Sequence, residues 1–384
     1  MSFASHNPRG RAAGAERGTA LSDRWHSRGV ALGRERTSAP PISAAVPAVA
    51  WKQRRVGRAL SFGGLVFALA LTLHTTILTG FRRIRTSEIG ATNRVMRGEI
   101  DARIVITGSS RAQVHYDPRI LGDVTGLKTY NLGQNAAHSD LQLAMLKTYL
   151  RHNPAPRVLV HNLDLHSFVT SHEIYDPARY LPHLHEEAIY AVVSRAYPDV
   201  WKWKYLPLYG YAVPDNRFTW MRGLLRVAGI ESEEDTFDGF APRALSWNED
   251  FANFRQTHPA GIHTSVERQG MRDLEELVTV AQSAGATVIF VYSPEFVAIQ
   301  PWETNRRVIF DHFKRLAERH AVPLWDFSDS EISHRRAYFY NSQHLNHDGA
   351  RAFSLDLAGR LRKSGFSTIA LRAENPSASP TDEL

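Results

Sequence analysis

The sequence predicts an α/β fold, a three-layer α/β/α sandwich with a central parallel sheet, joined to one N-terminal transmembrane helix. Short apolar runs alternate with amphipathic helical patterns along residues 101–372, and small or polar residues follow several of these runs. Strands that alternate with helices favour a parallel sheet covered on both faces. The 23 residues from Ala59 to Phe81 contain no Asp, Glu, Lys or Arg, and this stretch predicts the membrane span.

As a helix, residues 59–81 would be ~34 Å long, which is enough to cross a bilayer. A buried core helix and a signal peptide cleaved after the "ALA" of residues 68–70 are the alternatives. The apolar run continues beyond residue 70, which favours an uncleaved anchor. Basic residues bracket the stretch on both sides: Lys52, Arg54, Arg55 and Arg58 before it, and Arg82, Arg83, Arg85, Arg94 and Arg97 after it.

The charge of the chain is concentrated at its N-terminus. Residues 1–58 hold 11 of the 46 Lys and Arg and 3 of the 39 Asp and Glu, which leaves 35 basic and 36 acidic residues for the remainder. The folded part is therefore close to neutral, and no nucleic-acid surface is implied for it. The Arg-rich arm favours an N-terminus inside and a C-terminal domain outside, in a single-pass protein of the cytoplasmic (inner) membrane.

The domain organisation follows from these shifts in composition. We predict a disordered arm over residues 1–58, a juxtamembrane linker over 82–100, the α/β domain over 101–372 and a disordered tail over 373–384. The chain has no cysteine, which excludes disulfides, cysteine metal sites and thiol catalysis.

Five strands and four helices are predicted within the α/β domain. Predicted strands cover residues 103–108, 128–133, 157–164, 286–294 and 322–328. Predicted helices cover residues 139–152, with Ser139 or Asp140 as its cap, 267–285, 305–320 and a final segment that opens near His344. Ligands of such sheets bind at the carboxyl ends of the strands.

Residues 165–260 interrupt this alternation and are rich in aromatic side chains. They contain 17 Phe, Trp and Tyr residues in 96 positions, against 10% for the whole chain. Such an insertion is compatible with a lid that shapes an acyl or sugar pocket. The same composition is also explained if the rings only pack the insertion onto the sheet.

Residues suited to serine chemistry follow successive strands. "VITGSSRAQVHYDP" places Ser110 at a strand-to-helix turn, "YNLGQNAA" places Asn131 and Gly133 after the next strand, and "NSQHLNHDGA" places His344 before the last helix. A serine nucleophile needs a base within hydrogen-bond reach and donors for an oxyanion. By itself the Gly-Ser-Ser sequence is better explained by a serine that caps a helix.

In combination and order, these segments resemble the SGNH (GDSL-like) hydrolase superfamily, and most closely its membrane-anchored branch of teichoic-acid D-alanylation and alginate O-acetylation proteins. The resemblance covers roughly residues 101–365 and depends on "GSSRAQVHYDP", "NLG", "SPEF" and "HLNHDGARAFS". It implies Ser110 as nucleophile, Gly133 as an oxyanion donor and His344 as general base, with no cofactor. It also implies ester hydrolysis or acyl transfer on a cell-envelope glycan or lipid-linked acceptor, with a multi-spanning membrane acyltransferase as a partner.

The chain departs from the family pattern at two positions. Asn341 stands three residues before His344, where the family has Asp. An Asn oxygen can orient the imidazole but supplies no charge, so activity would be weak, lost, or supported by another carboxylate such as Asp348 or Asp326. Asp164 stands where the family places an oxyanion Asn, and Asn162 lies two residues earlier.

Two alternatives remain open from the sequence. A catalytically impaired binding or scaffold protein of an envelope polysaccharide system would keep the same fold and the aromatic insertion. Histidines are also dense near the third strand, although their spacing matches no recognised zinc signature and predicts no metal site: His161, His166, His172, His183 and His185.

Overall fold

The computed structural model describes residues 48–213, 216, 219–230 and 236–366. The predicted disordered tail over 373–384 and residues 1–47 of the disordered arm predicted over 1–58 fall outside these residues. Residues 48–58 of that arm are helical, in contrast to the prediction. The chain divides into two units, residues 1–65 and 66–384. The second unit contains the sheet and every candidate site residue.

A five-stranded parallel sheet forms the centre of the fold, as predicted. Its order is β2-β1-β3-β4-β5, and all four neighbouring pairs are parallel. The strands are β1 (Ile104–Thr107), β2 (Thr129–Asn131), β3 (Val158–Asn162), β4 (Thr287–Tyr292) and β5 (Leu324–Asp326). All five lie within the predicted ranges.

Helices cover both faces of the sheet and form the insertion. They are α1 (Ala48–Arg83), α2 (Ser87–Met96), α3 (Ser110–His115), α4 (Pro118–Thr125), α5 (Ser139–His152), α6 (Glu187–Ala196), α7 (Val200–Tyr205), α8 (Tyr209–Ala212), α9 (Trp220–Val227), α10 (Asp250–Thr257), α11 (Arg268–Ser283), α12 (Arg306–Arg319) and α13 (His347–Lys363). The helix predicted over 139–152 is confirmed at both ends, but His138 occupies its cap position.

The strands are buried on both sides, which explains their continuous apolar sequences. Val105 of β1 faces a core formed with α5, α11 and α12. Ile104 and Ile106 face a second core formed with α4 and α13, whose Phe353 and Leu357 are fully buried. Successive side chains of β1 therefore point to opposite faces of the sheet and contact the two layers of helices in turn.

The helix α1 contains the apolar stretch of the sequence. Its residues from Gln53 to Arg83 are long and apolar enough to cross a membrane, with a mean hydropathy of 1.7 over the most apolar window. Side chains at positions 53–69 are exposed, whereas Ile77 and Phe81 are buried in the domain. Composition and exposure together make α1 a candidate span.

The prediction of a linker over residues 82–100 is wrong for most of that segment. Residues 87–96 form α2, which buries Ile89 and Val95 in the core shared with α5. The amide of Asn93 donates to the carbonyls of Phe81 and Ile84 at 2.7 and 2.9 Å. These bonds join α2 to the end of α1, so that the segment belongs to the folded domain.

Candidate active site

The site lies at the carboxyl edge of the sheet, where β1 passes directly into α3. Ser109 is the cap of α3, and its side chain accepts a hydrogen bond from the Arg111 N–H. Ser110 is the first residue of the helix and is half-buried. The turn thus separates the two serines: Ser109 points into the protein and Ser110 lies at the surface of the site.

Ser110, His344 and Asn341 form a continuous hydrogen-bonded array. The distance from Ser110 Oγ to His344 Nε2 is 2.8 Å, and the distance from His344 Nδ1 to Asn341 Oδ1 is 3.0 Å. Since the Asn oxygen can only accept, Nδ1 carries the proton and the lone pair of Nε2 faces the serine hydroxyl. This is the arrangement that a nucleophile and its general base require.

Asn341 is held by the backbone of its own loop. Its Oδ1 also accepts from the Gln343 N–H at 3.0 Å and from the His344 N–H at 2.9 Å. These two bonds fix the amide so that oxygen, not nitrogen, faces the imidazole. The correct imidazole tautomer is therefore maintained without a carboxylate.

Neither alternative carboxylate named from the sequence replaces Asn341. The Asp348 carboxylate lies 3.4 Å from the ring of His347, and its side chain is 80% exposed. Asp326 accepts from the Ser328 N–H at 2.8 Å. Among residues 48–213 and 236–366, no carboxylate forms a hydrogen bond with His344.

The imidazole of His344 lies between two aromatic rings. Tyr340 stacks on it with ring centroids 5.4 Å apart, and His115 approaches edge-on at 6.2 Å. Burial lowers the pKa of His344 to about 3, and the positive charge of Arg111 acts in the same direction. His344 is consequently neutral at pH 7 and free to accept a proton, but it is a weak base.

His115 is a positioning residue that the sequence analysis missed. Its Nε2 accepts from the Leu345 N–H at 3.0 Å, and its Nδ1 lies 2.9 Å from Ser293 Oγ. Through these bonds α3 holds the loop that carries His344 against the end of β4. The signal was present in the sequence, since His115 and Ser293 belong to the quoted segments "GSSRAQVHYDP" and "SPEF".

A buried ion pair underlies the serine turn. Asp164 accepts from Ser109 Oγ at 2.6 Å and from the Arg111 guanidinium at 3.2 Å. Burial by itself raises the pKa of this carboxyl, but His166, Arg111 and the Ser109 hydrogen bond outweigh it and hold the pKa below its ordinary value. Asp164 is thus an ionised support of the turn, and the prediction that places it among oxyanion or substrate contacts is corrected.

Asn131 and Asn162 also have structural roles in place of the predicted substrate contacts, and both are 0% exposed. The Asn131 amide donates to the carbonyls of Ala112 and Tyr116 at 2.8 and 3.0 Å. The Asn162 oxygen accepts from the Tyr116 hydroxyl at 2.6 Å. These bonds join α3 to the ends of β2 and β3.

Gly133 lies against the backbone of α3. A Cβ atom added at Gly133 would lie 2.3 Å from the Gln113 nitrogen, so that only glycine fits there. Its N–H donates to Asn131 Oδ1 at 2.8 Å. An oxyanion would have to share or replace that bond, and the role of Gly133 as an oxyanion donor stays a prediction.

Gly133→Ala should reduce reaction of the site with a fluorophosphonate by at least about tenfold, because the added methyl group displaces the loop from α3. The initial rate of labelling of the full-length chain measures this effect. Gly359→Ala is the matched control, since a Cβ there meets nothing within 4 Å. Equal rates for the two variants would contradict the importance of this close approach.

Asp164→Asn should destabilise the fold by about 3–5 kcal/mol, because it leaves the buried Arg111 guanidinium without an anion. Urea unfolding of the full chain in detergent measures the loss. Asp329→Asn is the control: that carboxylate is 86% exposed and should contribute less than about 1 kcal/mol.

The same substitution should change the dependence of stability on pH. The pKa of Asp164 is lower in the folded state than in the unfolded state. The ionised carboxylate therefore stabilises the fold above the ordinary carboxyl pKa, and this stabilisation is lost as the pH falls through the folded-state pKa. Asp164→Asn should lack this acid-dependent loss. An unchanged acid limb of the unfolding free energy would contradict the assignment.

A polar cleft of about 310 Å³ adjoins α3. It shares Gln113 with that helix and is bounded on another side by the start of α2. Tyr175 of the insertion also lines it, as do four charged residues: Glu88, Asp176, Arg222 and Arg243. Hydroxyl, carboxylate and guanidinium groups around one cavity suit a polyhydroxyl ligand.

The clustered histidines do not assemble a metal site. Among the residues that the structure describes, no group of three or more His, Asp or Glu side chains is arranged to hold a metal ion. His183 Nε2 lies 2.8 Å from Asn93 Oδ1, and His161 Nδ1 lies 2.8 Å from Thr107 Oγ1. These two rings therefore support the fold.

Together, the fold and site define an α/β protein that carries a serine–histidine–asparagine array at the carboxyl edge of a parallel sheet. The chain resembles several solved structures, among them two from Bacteroides species. A Bacteroides fragilis NCTC 9343 protein provisionally assigned as an acylhydrolase is 13% identical, with a TM-score of 0.32, 70% of this chain covered and 88% of that one. A GDSL-like lipase of Bacteroides thetaiotaomicron VPI-5482 is 10% identical, with a TM-score of 0.32, 71% of this chain covered and 99% of that one.

At these identities and TM-scores the two likenesses establish neither the fold nor the function of this chain and assign no role to any residue. No protein-family model and no curated protein matches the chain.

Proposed function

We propose that this protein is a membrane-anchored, SGNH-like serine esterase or O-acyltransferase that acts on a cell-envelope glycan or lipid-linked acceptor. The observation that carries the proposal is the 2.8 Å contact between Ser110 Oγ and His344 Nε2 across 234 residues of sequence. A solvent-accessible serine, a neutral imidazole and an oriented third group are otherwise an unusual combination for a purely structural loop.

The reaction would proceed through an acyl-serine. His344 Nε2 takes the proton of Ser110 Oγ as the oxygen attacks the acyl carbonyl, and the tetrahedral intermediate collapses as the imidazolium returns that proton to the leaving alcohol. The Ser110 N–H, at the free N-terminal end of α3, and the Gly133 N–H are the proposed oxyanion donors. The acyl group then passes from Ser110 to water or to a sugar hydroxyl, with His344 again as base.

The polar cleft supports a carbohydrate acceptor. Its mixture of carboxylates and guanidinium groups, Glu88, Asp176 and Arg222 among them, provides both acceptors and donors for sugar hydroxyls. The site's position on a chain with an N-terminal candidate span supports an acceptor near the membrane. Transfer in partnership with a multi-spanning acyltransferase is the part of the proposal that depends on family resemblance.

Turnover of p-nitrophenyl acetate by the full-length chain tests the chemistry, with and without a soluble glycan as acceptor. We expect release of p-nitrophenol that requires His344 and Ser110. Acetylated glycan among the products indicates transfer, and acetate alone indicates hydrolysis. Release that is unchanged in His344→Ala would contradict a role for the imidazole as base.

A second candidate is a glycan-binding protein that keeps the fold without turnover. Two observations favour it: Asn341 supplies no charge to His344, and the Gly133 N–H is already occupied by Asn131. Glycan binding by the full chain that survives in Ser110→Ala, together with no ester turnover in the wild type, would support this function over the first.

A further inference from the structure

Part of the aromatic insertion packs against the C-terminal end of α1. We call residues 200–213 and 219–230 the collar. A Cβ added at Gly80 of α1 would lie 1.8 Å from the Gly223 carbonyl oxygen, and one added at Gly223 would lie 2.5 Å from the Ile77 oxygen. The two helix backbones are therefore in direct contact, without intervening side chains.

Further contacts fix the collar to the last turns of α1. The Leu208 N–H donates to His74 Nδ1 at 3.3 Å. The ring of Tyr211 lies 6.0 Å from that of His74 and stacks with that of Phe81 at 6.3 Å. From His74 onward one face of α1 therefore packs against the domain, with Ile77 and Phe81 buried, whereas residues 53–69 are exposed.

The outer surface of the collar is apolar and aromatic. Eight of its large side chains are exposed: Trp201, Tyr205, Leu206, Trp220, Met221, Leu225, Val227 and Ile230. Lys202 and Lys204 alternate with the aromatic residues of α7, and the Lys204 ammonium lies 5.4 Å from the centre of the Tyr205 ring. Tryptophan, tyrosine and lysine at one level are typical of the boundary between water and a bilayer.

The length of the free part of α1 shows where that boundary falls. The charge-free run begins at Ala59, and the domain packs against one face of the helix from His74 onward. The intervening ~15 residues span ~22 Å, which is ~8 Å less than a hydrocarbon core of ~30 Å. If α1 crosses the bilayer, the apolar layer must therefore extend to the level of the collar.

We propose that the collar is seated in the interfacial layer of a phospholipid bilayer, with its exposed aromatic and aliphatic side chains against lipid and its lysines at the phosphates. This inference rests on the membrane-anchoring part of the proposed function. The α/β domain is then mounted on the membrane by two elements, α1 and the collar, instead of being tethered by α1 alone. Such mounting holds the cleft at a constant height above the membrane surface.

The absence of cysteine from the chain allows a direct test with single-cysteine variants. Leu225→Cys and Tyr205→Cys in the collar, labelled with an environment-sensitive fluorophore, are placed as full-length protein in nanodiscs that contain acyl-chain-brominated phosphatidylcholine. Leu355→Cys on α13 is the matched control, since Leu355 is 44% exposed and Leu225 is 47% exposed. Phe67→Cys, within the charge-free run, reports on insertion of α1.

We expect bromine quenching at positions 67, 205 and 225 and none at 355. Quenching at 67 without quenching at 205 and 225 would overturn the proposal and leave the collar as a surface for a protein partner. No quenching at 67 would overturn both the collar proposal and the membrane anchor. Fluorophosphonate labelling of the same variants reports separately on Ser110, so that a failure of the membrane account is distinguished from a failure of the proposed chemistry.

Discussion

Ser110→Ala should abolish fluorophosphonate labelling of the full-length chain and reduce ester turnover by at least about 10³-fold, the scale on which serine hydrolases lose activity without their nucleophile. The Ser110 hydroxyl hydrogen-bonds with His344 at 2.8 Å, and no second oxygen nucleophile is placed within reach of that imidazole in the described part of the chain. Gel fluorescence with a tagged probe, together with p-nitrophenol release, measures both losses.

Ser364→Ala serves as the control for this substitution, because Ser364 is exposed at the end of α13, far along the chain from the turn. Its labelling should equal that of the wild type. The Ser110→Ala protein should also unfold within about 1 kcal/mol of the wild type, since only one half-buried hydrogen bond is lost. Full labelling of Ser110→Ala would show that the probe reacts elsewhere.

Asn341→Asp should raise ester turnover by about 10- to 100-fold. In the serine protease triad the reverse change costs about 10⁴, much of it through the wrong imidazole tautomer. Here the backbone N–H groups of Gln343 and His344 already orient the Asn341 oxygen, so that the tautomer is correct and only the charge is missing. The expected gain in ester turnover is therefore smaller than about 10⁴-fold.

The same substitution should move the acid limb of the pH–rate profile. Burial lowers the pKa of His344 to about 3 in the wild type, and the neutral imidazole is the active form. A carboxylate at position 341 stabilises the imidazolium and raises that pKa, so that activity is lost at a higher pH in the variant. A rate and an acid limb unchanged by Asn341→Asp would indicate that His344 does not act as a base.

The strands and their parallel arrangement were predictable because each depends on local pattern, whereas the pairing of Ser110 with His344, 234 residues apart, was predicted from the family resemblance. Continuous apolar runs such as "RIVITG" mark strands buried on both sides, and polar residues at their carboxyl ends converge at one edge of the sheet. The cap position of Ser109 and the half-buried position of Ser110 follow from the same strand-to-helix turn.

The roles of Asn131, Asn162 and Asp164 were not predictable in the same way. Each lies at or just after the end of a strand, where a substrate contact would also lie, but each forms its hydrogen bonds inside the protein. Asn131, for example, donates to the Ala112 carbonyl, and Asp164 accepts from Arg111. Pairings over 19 to 55 positions are set by packing and leave no periodic signal in the chain. A polar residue at the edge of a sheet therefore indicates proximity to a site without indicating contact with its ligand.

The segment 82–100 was misinterpreted for a different reason. It lies between the apolar run and the first predicted strand, and the sequence analysis did not recognise a helix there. In the structure α2 buries one face and leaves Arg94 and Arg97 partly exposed. An amphipathic helix of ten residues is short enough that its charges obscure its periodicity.

The site of acylation tests the central claim most directly. The full-length protein is mixed with p-nitrophenyl acetate, quenched in acid and digested with trypsin, and the peptide of residues 104–111 is fragmented in a mass spectrometer. We predict an acetyl group on Ser110 and none on Ser109, whose hydroxyl donates to the buried Asp164. Acetylation of Ser109, or of neither serine while p-nitrophenol is released, would contradict the account.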